Sequence, residues 1–264
     1  MKQTRHLLIA LALGTMLTSC GASVSTATVT GPAAYVDPYI GSGGHGHVFV
    51  GASVPFGAIQ AGPQNIHKGW DWCSGYHHSD SIVIGFAHTH LSGTGCTDMG
   101  DVQIMPYTGE LRSKRGRQED IGGSCSSYYS HDNESVSPGY YSLKMDNGVR
   151  IEMTASTRTA LHRITYPEAE GRRLLINLEE GNGDGAYDTY LRQTDAHTVE
   201  GYRFSKGWGP HKVFFALTTD KPIRSLALFD ADTPSEGSEI RCKGAKGVPV
   251  SYTHLRAHET CADL

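Results

Sequence analysis

The chain has 264 residues, with 23 Lys and Arg against 27 Asp and Glu and a formal net charge of −4. The acidic balance excludes a basic nucleic-acid footprint, and an apolar share of 38% with so little net charge excludes a disordered chain. The length suits one large domain or two small ones, and 32 glycines without any G-X-Y repeat point to a turn-rich β protein.

At the N-terminus, Lys2, Arg5 and His6 precede an apolar run over residues 7–17. Eleven residues at about 1.5 Å each cannot cross a hydrocarbon core of about 30 Å, so the run reads as a signal peptide. It ends in Leu17-Thr18-Ser19-Cys20-Gly21, which resembles a bacterial lipobox and predicts lipidation of Cys20 as the first mature residue. Ordinary secretion with cleavage near Ala22 is the alternative. Residues 21–34 are small, polar and aperiodic and are expected to form a flexible tether.

From residue 35 onward the period is two. Residues 140–145 and 149–154 alternate around Asp146-Asn147-Gly148, a hairpin in which Asn-Gly supplies positive φ angles. Further strands are expected at residues 82–86, 102–107, 161–166, 173–178, 198–204, 213–218 and 223–229. No window of eleven or more residues shows capped helical spacing. The expected fold is all-β, a large antiparallel β-sandwich of more than ten strands over residues 35–249. Cys73, Cys96, Cys125 and Cys242 form neither a disulfide framework nor a CxxC zinc pattern, and buried free thiols account for them as well as disulfides do. After Pro249 the texture changes, and residues 250–264 read as a translated sequencing-adaptor tail that is not native.

Chemistry concentrates in residues 41–101, which hold seven of the fourteen histidines and two of the three tryptophans. Gly41-Ser42-Gly43-Gly44-His45-Gly46-His47 lacks the Lys-Ser/Thr pair of a phosphate loop. It reads as a loop in which Gly43 and Gly44 let backbone approach a ligand, or as a plain connection. Trp70 and Trp72 flank Asp71 in a polar, turn-like segment. Indole faces stack on sugar rings and the indole N–H can donate to a hydroxyl, whereas an aromatic lid over a loop would need neither property. His88 and His90 project to one face if the segment is extended. That pair suits zinc with Asp98 or Asp101, hydrogen bonds to a polyhydroxylated ligand, or a satisfied polar cluster.

These strings carry a resemblance. Tyr35-Val36-Asp37-Pro38-Tyr39-Ile40-Gly41, Gly51-Ala52-Ser53-Val54-Pro55-Phe56-Gly57, Gly69-Trp70-Asp71-Trp72-Cys73-Ser74-Gly75-Tyr76-His77 and Gly85-Phe86-Ala87-His88-Thr89-His90-Leu91-Ser92-Gly93-Thr94-Gly95 are similar to the N-terminal domain of glycoside hydrolase family 92, the exported bacterial α-mannosidases. Ser137-Pro138-Gly139-Tyr140-Tyr141 and Gly207-Trp208-Gly209 extend the likeness more weakly. The resemblance implies the β-sandwich of a two-domain enzyme whose (α/α)6 barrel is absent here. It further implies calcium-dependent, inverting hydrolysis of α-1,2-linked mannose in N-glycans or mannans, with both catalytic carboxylates in the barrel. Asp98, Asp101, Glu179 and Glu180 are therefore given no catalytic role, and no protein metal ligand is assigned. The substrate-binding candidates are Trp72 first, then Trp70 and Cys73, with Gly43 and Gly44 shaping the pocket and His88 and His90 behind them. The expected partners are a mannose-containing glycan and, through lipidated Cys20, the membrane of the bacterial cell envelope. A complete, non-catalytic surface carbohydrate-binding lipoprotein is the rival reading, and a zinc hydrolase built on His88 and His90 is a third.

Overall fold

The computed structural model describes residues 30–114, 121–167 and 171–244. The signal peptide with Cys20, most of the tether and the segment after Pro249 lie outside the described residues. The end of the tether is described, and Gly31–Tyr35 forms a 3-10 turn closed by Val36 N–H donating to the Ala33 carbonyl.

Seventeen strands form among the described residues, all paired antiparallel. The first six are β1 (Ala52–Ser53), β2 (Gln60–Gln64), β3 (Ile82–Val83), β4 (Gly85–Ala87), β5 (Gln103–Thr108) and β6 (Ser127–Tyr128). Then follow β7 (Glu134–Ser137), β8 (Tyr140–Lys144), β9 (Arg150–Ala155), β10 (Ala160–Thr165) and β11 (Arg172–Asn177). The last six are β12 (Gly185–Gln193), β13 (Thr198–Lys206), β14 (Pro210–Thr218), β15 (Leu228–Asp230), β16 (Thr233–Ser235) and β17 (Glu239–Lys243). One sheet has the order β1-β2-β4-β5-β11, a second β10-β9-β8-β7 and a third β14-β13-β12-β17, with β15-β16 and β3-β6 as small ribbons. This is the antiparallel β-sandwich expected from the two-residue period.

The core follows the alternation of the strands. Phe86 and Ile104 are cross-strand partners in the first sheet, and they share one buried cluster with Tyr141, Leu143, Ile151 and Met153 of the second. Phe86 meets Tyr141 across the sandwich with ring centroids 6.4 Å apart. Burying a side chain of this size contributes about 1.5–3 kcal/mol. In the third sheet Leu191, Val199, Phe215, Leu217 and Ile240 turn inward, while Tyr202, Phe204 and Phe214 stack on the outer face.

The β8–β9 hairpin forms where the sequence places it, with one difference at the turn. Only Gly148 has positive φ (+85°); Asn147 instead accepts from Val149 N–H through its side chain. Gly148 N–H donates to the Met145 carbonyl, so a type I turn followed by a left-handed glycine closes the hairpin. Two strand expectations change. Residues 82–86 divide into β3 and β4, which pair with different partners, because Ile84 N–H is drawn to the Gln64 carbonyl between them. Of residues 223–229, only the end joins a strand, β15.

Candidate functional site

The tryptophan segment is a 3-10 turn, Trp70–Trp72, built from successive i to i+3 bonds: Trp72 N–H to the Gly69 carbonyl, Cys73 N–H to Trp70 and Gly75 N–H to Trp72. The turn separates the two indoles. Trp70 is 57% exposed, its Nε1–H donating to the Gly95 carbonyl at 2.9 Å and its ring packed edge-on against His47 at 4.1 Å. Trp72 is half-buried, with Nε1–H on Asp80 Oδ2 at 2.9 Å and its face stacked on His77 at 4.4 Å. Lys68 pairs with the same Asp80 oxygen at 2.8 Å and lies 5.7 Å from the Trp72 ring. Trp70 is thus the more exposed indole, and Trp72 is tied to Asp80 and His77.

The glycine-rich loop stands against this turn. His45 Nδ1 and Asp71 Oδ1 are 2.5 Å apart, and that hydrogen bond holds the Asp71 carboxyl below the usual carboxylate range. Gly43 and Gly44 are exposed, and His77 Nε2 lies 3.2 Å from the Gly44 carbonyl. Cys73 is buried, its thiol donating to the Trp70 carbonyl at 2.6 Å, and burial pushes its pKa up. Its role in this arrangement is to fasten the turn. Cys73, Cys125 and Cys242 are buried and Cys96 is partly exposed.

His88 and His90 are both buried in the sandwich. His88 Nδ1 contacts the Val102 carbonyl at 2.6 Å, so Nδ1 carries the proton and Nε2 accepts from His162 Nε2 at 2.9 Å. His90 Nδ1 donates to the Gln60 carbonyl at 2.8 Å while its ring stacks on Phe49. Burial lowers the pKa of His88 well below 6.5 and takes His90 and His162 to about 4, so all three are neutral near pH 7. The pair belongs to a buried core cluster, in which His90 Nε2 and His162 Nδ1 have no hydrogen-bond partner. No zinc group among the described residues includes it.

Asp98 and Asp101 serve a network that sequence spacing did not reveal. The fully buried Arg203 of β13 donates from Nη1 to Asp101 Oδ1 and to Asp184 Oδ2 at 2.7 Å, and from Nη2 to Asp184 Oδ1 at 3.0 Å. Its Nε–H donates to the Leu178 carbonyl at 3.0 Å. His211 of β14 reaches Asp101 Oδ2 at 3.0 Å and Ser205 Oγ at 2.9 Å. Asp98 Oδ2 accepts from Gly209 N–H at 2.9 Å. The hydrogen bond to Asp101 raises His211 to about 9, so it is a cation at neutral pH. Burial disfavours ionised Asp101, but His211 and Arg203 outweigh it and its pKa falls.

Calcium finds no suitable cage in the two clusters of possible metal ligands among the described residues. Asp98, Asp184 and His211 already neutralise one another and Arg203, while His78, His131 and Glu134 offer two nitrogens and one carboxylate. Glu134 is further occupied by the Tyr76 and Tyr141 hydroxyls at 3.0 and 2.7 Å. A hard cation that prefers six to eight oxygens fits neither.

These features define an all-β domain with an aromatic loop cluster in which Trp70 is exposed. A model of the glycosyl hydrolase family 92 N-terminal domain matches residues 35–260, and the chain belongs to that family. The structure of the GH92 α-mannosidase BT3965 from Bacteroides thetaiotaomicron, in complex with mannoimidazole, is 32% identical and superposes with a TM-score of 0.80 over 88% of this chain and 32% of that one. The GH92 inverting mannosidase BT2199 from the same organism, at 22% identity and a TM-score of 0.70 over 88% of this chain and 30% of that one, shares the fold. An uncharacterized secreted glycosidase of Arthroderma benhamiae is 32% identical over 158 residues, which are 56% of this chain and 18% of that protein. The chain therefore spans about a third of the mannosidase structures and less of the curated relative.

Proposed function

We propose that this chain forms the sandwich wall of the sugar pocket in an exported, calcium-dependent α-mannosidase that hydrolyses α-1,2-linked mannose of N-glycans or mannans with inversion. The observation that carries the reading is Trp70, an exposed indole locked between His47 and the Gly95 carbonyl, in a chain whose fold and 32% identity match an α-mannosidase. Inversion uses one carboxylic acid to protonate the leaving oxygen and one carboxylate to activate water, about 6.5–9.5 Å apart. Asp98, Asp101 and Asp184 are tied up by backbone or cationic partners, so the reading places both catalytic groups, and the calcium, outside this chain's described residues. What this chain contributes is binding and orientation. Trp70 stacks on the apolar face of a mannose ring, Trp72 and Cys73 hold the turn, and Gly43 and Gly44 leave room for the substrate beside it. Export follows the signal peptide and accords with the secreted relative; anchorage through lipidated Cys20 belongs to the same proposal.

The test is hydrolysis of an α-1,2-mannobioside by the natural gene product that contains this domain. Trp70→Ala is expected to cost about 1–3 kcal/mol in kcat/KM, and Trp72→Ala to cost a similar amount. Unchanged kcat/KM in both would remove the assignment. Mannoside binding without hydrolysis would establish the rival reading, a surface carbohydrate-binding protein.

A further inference from the structure

Trp208 lies in the connection between β13 and β14 and is 77% exposed. An indole left in water forfeits much of the burial energy available to the largest side chain, and tryptophan with an apolar body and a polar N–H is a residue of recognition surfaces. The backbone that carries it is fixed on both sides by buried charge. Gly209 N–H donates to Asp98 Oδ2 at 2.9 Å, and the Gly209 carbonyl lies 3.1 Å from His211 Nδ1. At Gly207 an added Cβ would lie 2.5 Å from Asp98 Oδ1 and 2.8 Å from the Asp184 Cβ, so this position takes only glycine. Behind the tip, Arg203 and His211 link Asp101 and Asp184, both buried at their side chains.

The same loop that grips this tip also grips Trp70. The Gly95 carbonyl accepts from the Trp70 indole, and Asp98, three residues on, accepts from Gly209. Three residues span at most about 10 Å, so the anchors of the two exposed indoles lie within roughly one or two sugar rings of each other.

We infer that Trp208 is a second sugar-stacking residue, forming an outer subsite for a mannose unit beyond the one at Trp70, with Asp98 as the positioning residue of its loop. The inference rests on the mannosidase reading. Preorganisation is the reason for the buried network: a stacking surface held in place loses less entropy when the sugar arrives.

The experiment uses the natural gene product and compares wild type, Trp208→Ala and Trp208→Phe on α-1,2-mannobiose and α-1,2-mannotetraose, with thermal melting of each variant as a fold control. The expected result is a rise in KM of about tenfold for the tetraose with Trp208→Ala, little change for mannobiose, kcat within twofold, and substantial recovery with Trp208→Phe. Asp98→Asn keeps an acceptor for Gly209 and should retain the tetraose preference, whereas Asp98→Ala should lose it. If wild type hydrolyses mannosides and Trp208→Ala leaves both KM values unchanged, the subsite is overturned while the mannosidase reading stands. A lowered melting temperature with unchanged KM would instead make Trp208 a protein-packing residue and overturn the inference. If wild type acts on no mannoside, the mannosidase reading fails and the subsite falls with it.

Discussion

Raising the pH should destabilise this domain through His211. Its imidazolium is held by Asp101 at 3.0 Å, with Asp184 at 3.9 Å and Asp98 at 4.0 Å, and its pKa is raised to about 9. A base that binds its proton more tightly when folded adds stability in full below its unfolded pKa of about 6.5, and loses it as pH rises through 9. The gap between those values, at about 1.4 kcal/mol per pH unit, sets a ceiling of roughly 3 kcal/mol. The side chain is 22% exposed, and solvent screening reduces the expected contribution to about 2 kcal/mol. The assay is urea unfolding of wild type and His211→Gln from pH 6 to pH 10, with an NMR titration of the imidazole alongside. Wild type should lose about 2 kcal/mol over this range in excess of the variant, and the two should converge near pH 10. Equal alkaline slopes, or an imidazole titrating near 6.5, would refute the reasoning.

Acid should act through the opposite kind of histidine. His162 is buried neutral with its pKa depressed by burial to about 4, so its contribution is present above pH 6.5 and lost as pH falls towards 4. His162→Gln keeps an N–H donor for His88 and cannot be protonated, and it should flatten the acid limb of a pH–stability curve. Tyr141→Phe removes the hydroxyl that donates to buried Glu134 at 2.7 Å and should cost about 1.5–3 kcal/mol in urea unfolding, a loss expected of a bond to a charged acceptor. Native-state alkylation should modify Cys96 first among the four described cysteines, with Cys73, Cys125 and Cys242 reacting only on unfolding; mass spectrometry of the labelled peptides decides it.

The sandwich was legible in the sequence wherever strands are local and regular. The β8–β9 hairpin shows both signals, alternation and a turn glycine, within fifteen residues. β12 shows neither: a bulge between Ala186 and Asp188 breaks the two-residue period, so Ala186, Thr189 and Leu191 face inward at uneven spacing. The Trp70–Trp72 turn was visible as chemistry, but which indole is exposed depends on Asp80 and Gly95, whose hydrogen bonds no spacing rule reveals. His88 and His90 look like surface ligands by composition. His88's partner His162 belongs to another sheet and is 74 residues away, while His90 is held by the Gln60 carbonyl, which makes a core cluster of what reads as a motif. Arg203 was unreadable for the same reason, since Asp101 is 102 residues away in the chain.

That separation also bears on how the molecule comes apart. The β8–β9 hairpin can close on its own within microseconds, but the Arg203 ion network needs β5's leading loop, the loop before β12, β13 and β14 to be in place together. Charges stripped of water before all their partners arrive are unfavourable, so these bonds are expected to form after the main collapse. Interactions made late in folding are the ones broken on the way to the unfolding transition state, and they set how slowly a folded chain opens. The network is thus a clasp in time as well as in space: weakening it should shorten the native lifetime of the domain while leaving its rate of folding nearly unchanged.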